Sequence, residues 1–354
     1  MNTSDRELIA TAQALVAPGK GILAMDESNA TCARRFEKLG IPVTVERRRA
    51  YRELIITTPN LANFISGAIL YDETIRQSSQ AGIPFVNLLQ TAGIIPGIKL
   101  DLGAKDLPGC PGEKVTEGLD GLGDRIAEYY QMGARFAKWR AVITISQSER
   151  DAIDTDIPSE TCLVANAHAL ARYAALCQAG GLVPIVEPEV LIDGQHSIER
   201  CYEVTDRTLQ AVFAQLRLNR VELDKMILKP SMVLAGEKCP IQASVEQVAA
   251  MTVQCLRDNV PASVPGIAFL SGGQSNEHAT AHLNAIHTQF GSQCPWAVTF
   301  SYARAIQQPA LDYWHGDDAN IPAAQKRLYQ RAKINGSASM GQYTPEMERS
   351  IAMV

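Results

Sequence analysis

The sequence predicts a closed (β/α)8 TIM barrel, on three observations. Eight short apolar runs recur along the 354 residues, each stopping at a polar or charged residue. The segments between them are long enough for crossover helices and carry helical spacing of apolar residues, which is the grammar of parallel βαβ units. No Gly-x-Gly-x-x-Gly follows the first run, so an open dinucleotide-binding sheet is disfavoured. Eight parallel strands in a single chain of this length fit a closed barrel better than a doubly wound sheet.

The elements follow in order. Ser4 and Glu7 have capping-box spacing, and Leu8, Ile9, Ala12, Leu15 and Val16 share one helical face before Pro18 and Gly19, which predicts an amphipathic helix over about 4–17. The strand runs are GILAMD from 21, FISGAILYDE from 64, GIIPGIK from 93, ARFAKWR from 134, LVPIVEPE from 182, KMILKP from 225, GIAFLSGG from 266 and WAVTFSYAR from 296. Between Thr161 and Gln178, Leu163, Ala167, Leu170 and Ala174 repeat every three or four residues ahead of Gly180 and Gly181, as a crossover helix requires. A third helix is predicted over Glu277–Ile286. No linker or low-complexity stretch marks a boundary, so 1–354 reads as a single domain with a C-terminal tail at about 336–354.

Composition narrows the function. With 33 Lys and Arg against 38 Asp and Glu the net charge is −5, so no chain-wide attraction to nucleic acid or an anionic membrane is expected, and an anionic ligand must be met locally. No apolar run approaches a membrane span, and Asp5, Arg6 and Glu7 stand where a secretory leader would be positive, which predicts a cytoplasmic protein. The 8 cysteines form no CxxC pair and read as reduced, mostly buried thiols.

In barrels the catalytic groups sit at the C-terminal ends of the strands. Here those ends carry Asp26, Lys99, Lys138, Arg140, Glu187, Glu189, Lys229, Ser271, Ser301 and Arg304. Three lysines converging on one mouth would depress one another's pKa, leaving one amine free to attack a carbonyl; Lys229, behind Met226, Ile227 and Leu228, is the candidate nucleophile. Glu187 and Glu189 alternate along one strand and face one way, which suits proton transfer at a carbinolamine, and Asp26 would supply a second base. A salt bridge from Glu189 to a neighbouring lysine is the plainer reading of that residue.

LSGGQS, Leu270–Ser275, places glycines ahead of a helix N-terminus, a site for a phosphate. Its likeness to the signature of ABC transporter ATPases fails for want of a GxxxxGK[ST] loop. Ser301 and Arg304 at the eighth strand end add phosphate contacts. His278 and His282, spaced i, i+4, lack the Glu of HExxH and a third ligand, and read as a solvated helix face rather than a metal site.

These strings resemble the class I, Schiff-base, fructose-bisphosphate aldolases: APGKGIL with DES at 17–28, GIK at 97–99, GLDGL at 118–122, FAKWR at 136–140, ANAHALARYA, VPIVEPE at 183–189, LKP at 228–230, FLSGGQS at 269–275, LNAI, PWAVTFSYAR at 295–304 and YTP at 343–345. The resemblance implies reversible, metal-free cleavage of fructose 1,6-bisphosphate to dihydroxyacetone phosphate and glyceraldehyde 3-phosphate, without a cofactor, by a homotetramer. It assigns Lys229 as the Schiff-base lysine, Glu187 as acid and base in carbinolamine dehydration, and Asp26 as the group that deprotonates the C4 hydroxyl. Lys138 becomes the cation that holds substrate and lowers the nucleophile's pKa, with Glu189 as its ion-pair partner. Ser271, Gly272 and Arg304 match one phosphate site, with Ser301 and Ala303 beside them; Ser28, Thr31 and Lys99 match the other, and Arg140 joins the substrate contacts.

Two departures stand out. Ala303 replaces the glycine of the family's SYGR, which predicts a looser phosphate contact if that position needs φ > 0. The tail ends in Ile351, Ala352, Met353 and Val354 where the family ends in a tyrosine, which predicts slower or differently catalysed enamine protonation. A related Schiff-base lyase acting on fructose 1-phosphate or sedoheptulose 1,7-bisphosphate, and a non-catalytic barrel scaffold, are the alternatives.

Overall fold

A computed structural model describes residues 3–146 and 157–352. Eight parallel strands form one sheet in sequential order: β1 (Gly21–Ala24), β2 (Ile65–Leu70), β3 (Ile95–Lys99), β4 (Phe136–Ile143), β5 (Val183–Val190), β6 (Ile227–Leu228), β7 (Gly266–Phe269) and β8 (Ala297–Phe300). Ala24 N–H at the end of β1 donates to Tyr302 O, just past β8, at 3.1 Å, and this bond links the two edges of the sheet into a nearly closed barrel. All eight apolar runs supply a barrel strand. Their continuous apolar character follows from burial on both faces, inside the barrel and beneath the helical ring.

The interior is layered by the two-residue period of a strand. At the N-terminal end, Ile22, Ala24, Ile69, Phe136, Val183, Ile185, Ile227 and Ala268 form an apolar floor. A Cβ at Gly97 would come within 2.3 Å of the Phe136 ring, so glycine there makes room for the largest floor side chain. The first helix, α1 (Thr3–Leu15), lays Leu8, Ala12 and Leu15, with Val16 just beyond, against this floor and closes that end. One layer further up the same strands the residues become Asp26, Lys138 and Arg140, Glu187 and Glu189, and Lys229. The change from apolar to charged along each strand makes a sealed floor and a reactive mouth from one register.

Six further helices bear on the site: α2 (Asn29–Lys38), α3 (Glu160–Ala179), α4 (Asn276–Phe290), α5 (Arg304–Trp314), α6 (Ile321–Ala338) and α7 (Glu346–Ala352). Ser28, Ser159 and Ser275 cap α2, α3 and α4, each side chain accepting from the backbone N–H three residues on. These caps explain why the helices predicted over Thr161–Gln178 and Glu277–Ile286 start where they do.

Three boundary expectations change. The opening helix begins at Thr3, which puts Ser4 inside the first turn rather than ahead of it, and it stops at Leu15, short of 17. The predicted tail start at 336 falls within the last turn of α6, where a Cβ on Gly336 would come within 2.7 Å of Gly19 O. Met353 and Val354 lie outside the described residues. A short antiparallel hairpin, Ala104–Asp106 with Lys114–Thr116, joins β3 to β4 and was not predicted. All eight cysteines are unpaired thiols, five of them buried.

Candidate active site

The mouth opens into a cavity of about 1320 Å³ lined by all fourteen predicted site residues. Its deepest charges are Lys138, Glu187 and Lys229, each no more than 4 % exposed. Lys229 follows the two-residue strand β6, and its backbone N–H donates to Val186 O at 2.8 Å, which aims the side chain across at β5. Its Nζ lies 3.2 Å from Glu187 Oε1. The other carboxylate oxygen, Oε2, is 3.3 Å from Lys138 Nζ but makes no hydrogen bond among the described residues, so Glu187 stands between the two amines with one oxygen still able to accept or carry a proton.

Lys138 is held chiefly by Asp26, its Nζ 2.7 Å from Oδ2, with Asp101 Oδ2 at 4.0 Å. Burial works against the Lys138 charge, but Asp26, Glu187 and Asp101 outweigh it and keep the ammonium protonated well above the usual lysine range. Burial likewise works to raise the Asp26 pKa, yet Lys138, Lys229 and Lys99 bring it down to about 2. For Lys138 the expected lowering of its pKa by the neighbouring lysines is therefore corrected. Carboxylates are interleaved with the amines, and the net effect on Lys138 is to strengthen its charge.

The expected Glu189–Lys138 pair is also corrected. Strand register sets Arg140 opposite Glu187 and Val142 opposite Glu189, so Glu189 lies nearer the rim than Lys138 can reach. Its Oε2 accepts instead from Arg140 Nε. Burial disfavours the Arg140 charge, but Glu189 more than compensates and raises its pKa.

Asp101 is a buried site residue that sequence reasoning missed. Its Oδ1 is 2.5 Å from Lys99 Nζ, and its Oδ2 accepts from the Arg140 backbone N–H at 3.3 Å. The signal was present: Asp101 lies two residues past Lys99, the spacing that returns a side chain to the same face. Arg34, Arg35 and Lys38 of α2 also line the cavity, and Glu27, next to Asp26, holds Arg35 at 2.5 Å and Arg52 at 2.8 Å. Helical spacing alone does not show which face of α2 overhangs the mouth.

Two anion-suited walls flank these charges. On one side Ser28 Oγ donates to Thr31 Oγ1 at 3.2 Å, with Arg34, Arg35, Lys38 and Lys99 around them. On the other, Gly272 and Gly273 have φ of +52° and +89°, a left-handed backbone that glycine adopts without strain. A Cβ on Gly273 would sit 3.8 Å from Arg304 Nη2, so that guanidinium lies beside the turn. Ser301 Oγ is buried without a hydrogen-bond partner among the described residues. Ala303 has φ −102° and ψ −87°, so the positive φ feared for this position does not arise.

His278 lies on the solvated face expected of the pair, and His282 departs from it. His282 is buried, because α4 turns this face toward Gln274, whose Oε1 is 2.6 Å from His282 Nδ1. Burial, with His278 adding to it, lowers the His282 pKa to about 4.

A nearly closed parallel barrel with a buried amine and carboxylates at its strand ends, between two anion-suited walls, defines a barrel enzyme suited to amine and acid–base chemistry on an anionic ligand. The family model for fructose-bisphosphate aldolase class-I matches residues 7–353, and the chain belongs to that family. A probable fructose-bisphosphate aldolase class 1 from Xanthomonas campestris pv. campestris is 58% identical, the match covering 96% of this chain and 99% of the relative. Fructose-bisphosphate aldolase from Dictyostelium discoideum is 49% identical over 96% of this chain and 93% of its own length. The solved structure of the Plasmodium falciparum aldolase with TRAP and a small-molecule inhibitor superposes with a TM-score of 0.93 at 47% identity, covering 97% of each chain. The activity is that of a class I fructose-bisphosphate aldolase.

Proposed function

We propose that the chain cleaves fructose 1,6-bisphosphate through an imine on Lys229. The amine adds to the C2 carbonyl, Glu187 delivers the proton that lets the carbinolamine oxygen leave as water, and an iminium remains. Asp26 takes the C4 hydroxyl proton, the bond from C3 to C4 breaks, and its electron pair moves into the iminium to give an enamine and free glyceraldehyde 3-phosphate. Protonation at C3 and hydrolysis then release dihydroxyacetone phosphate. Lys138 balances the negative charge of Asp26 and Glu187, and Arg140 orients Glu189 at the rim. Ser271, Gly272, Ser301, Ala303 and Arg304 form one phosphate site; Ser28, Thr31 and Lys99 form the other. Holding both ends fixes C2 over the lysine, a positioning that is worth several kcal/mol of barrier.

The observation that carries this reading is Glu187 lying between the amines of Lys229 and Lys138 at 3.2 and 3.3 Å. Borohydride reduction with dihydroxyacetone phosphate should leave one adduct, mapped by mass to Lys229, and turnover should survive EDTA. An adduct elsewhere, none at all, or a Lys229→Met protein of full activity would overturn it. Relative kcat/KM should favour fructose 1,6-bisphosphate over fructose 1-phosphate and sedoheptulose 1,7-bisphosphate.

The same reading makes the protein a single-domain, cytoplasmic homotetramer. Its support is the family resemblance and a cytosolic Arabidopsis thaliana relative 49% identical over 95% of this chain. Among the described residues no helix is long and apolar enough to cross a membrane. Sedimentation at the mass of four chains is the expected result.

A further inference from the structure

We propose that His282 is a positioning residue for the turn Ser271–Gln274: its imidazole grips the Gln274 carboxamide from behind and so fixes the part of the cavity wall that takes a phosphate. The inference rests on the reading of that turn as a phosphate site. Two successive left-handed glycines, Gly272 and Gly273, give the turn its shape, and glycine backbone is the least able to hold a shape by itself. Two anchors compensate. Gln274 N–H donates to Ser271 O at 3.0 Å within the turn, and Gln274 Oε1 meets His282 Nδ1 at 2.6 Å from the body of α4.

The orientation of this contact is fixed by its neighbours. Gln274 Nε2 points to the Met232 sulfur at 3.8 Å, a weak acceptor, which leaves Oε1 toward the imidazole and requires Nδ1 to carry the proton. His282 is buried, with the His278 ring stacked on it at a centroid distance of 5.9 Å and Glu246 as its nearby carboxylate. Burial keeps the ring neutral at physiological pH, so it serves as a single fixed donor. Gln274 lines the cavity and His282 does not. The histidine therefore acts on the substrate wall only through the glutamine.

The test is steady-state kinetics of the full chain on fructose 1,6-bisphosphate with His282→Leu, His282→Asn, Gln274→Leu and the Leu/Leu double variant, beside Ser271→Ala. Loss of one such hydrogen bond should raise KM about five- to tenfold for His282→Leu with kcat within about twofold. Asparagine, whose amide can donate, should bring KM back to within about twofold, and the double variant should show no more than Gln274→Leu alone. Should the leucine variant not fold, the asparagine variant and Gln274→Leu carry the same comparison. Additive effects in the double variant, a loss confined to kcat, or an unchanged KM in both His282→Leu and Gln274→Leu while Ser271→Ala raises it, overturn the positioning role. An unchanged KM in Ser271→Ala instead overturns the phosphate reading of the turn.

Discussion

Lys138 and Arg140 sit two residues apart on one strand and meet different carboxylates, so their replacement should separate two jobs. Lys138→Met leaves Asp26 and Glu187 buried without their shared cation, a change that costs about 3–5 kcal/mol in comparable ion pairs and removes charge balance from the reacting centre. Arg140→Met frees Glu189 at the rim, where the arginine side chain is 42% exposed and the loss is correspondingly smaller. Thermal midpoint and kcat should both fall much further in the first variant; equal losses would mean that Glu189 and Lys138 work as one pair after all. Asp26 adds a pH signature. Its pKa falls from 3.8 unfolded to about 2 folded, so the stability it contributes is present above 3.8 and is lost as pH falls through 2. That amounts to roughly 2 kcal/mol, and an Asp26→Asn protein should show a flatter acid-unfolding curve between these limits. The residues themselves were legible because each ends an apolar run. Their pairing was not, because it depends on the stagger between β4 and β5, which no single strand encodes.

At the scale of elements, the phosphate turn and α4 show the same division. The glycines of LSGGQS ahead of a helical stretch announce a turn feeding a helix, and both are found. The inward face of the helix was not legible, since His278 and His282 have the spacing of an exposed pair and only the packing of α4 shows His282 buried. The hairpin between β3 and β4 was equally hidden: its strands are three residues each, too short for a two-residue period to show. Burial of His282 carries a measurable cost. Its folded pKa of about 4 lies below the ordinary 6.5, so the unfolded chain binds the proton first and stability declines as pH falls from 6.5 towards 4. The decline should be on the order of 2–3 kcal/mol. Urea unfolding of His282→Asn at pH 7 and pH 4.5 should show a smaller pH dependence than the parent; an identical dependence would show that the imidazole is protonated in the folded state.

Across the whole molecule, one strand register assigns stability and chemistry to opposite ends of the barrel. The floor is apolar and plugged by α1, whose Ala12 is fully buried against it, whereas every charged group of the candidate site lies on the layers above. Lys225 ties the same helix down, its Nζ 2.6 Å from Asp5 Oδ1, so the plug is held by an ion pair at one end and by packing along its length. A carboxylate placed at Ala12 would have no cation within the floor and would be buried unpaired, a defect that costs several kcal/mol. Ala12→Glu should therefore lower the thermal midpoint by at least about 5 °C. The fraction still folded at 25 °C should keep its kcat and KM, because Ile185 and Ile227 separate the plug from Glu187 and Lys229. A fall in kcat with an unchanged midpoint would show instead that the floor and the mouth are coupled, and that the helix contributes to catalysis as well as closure.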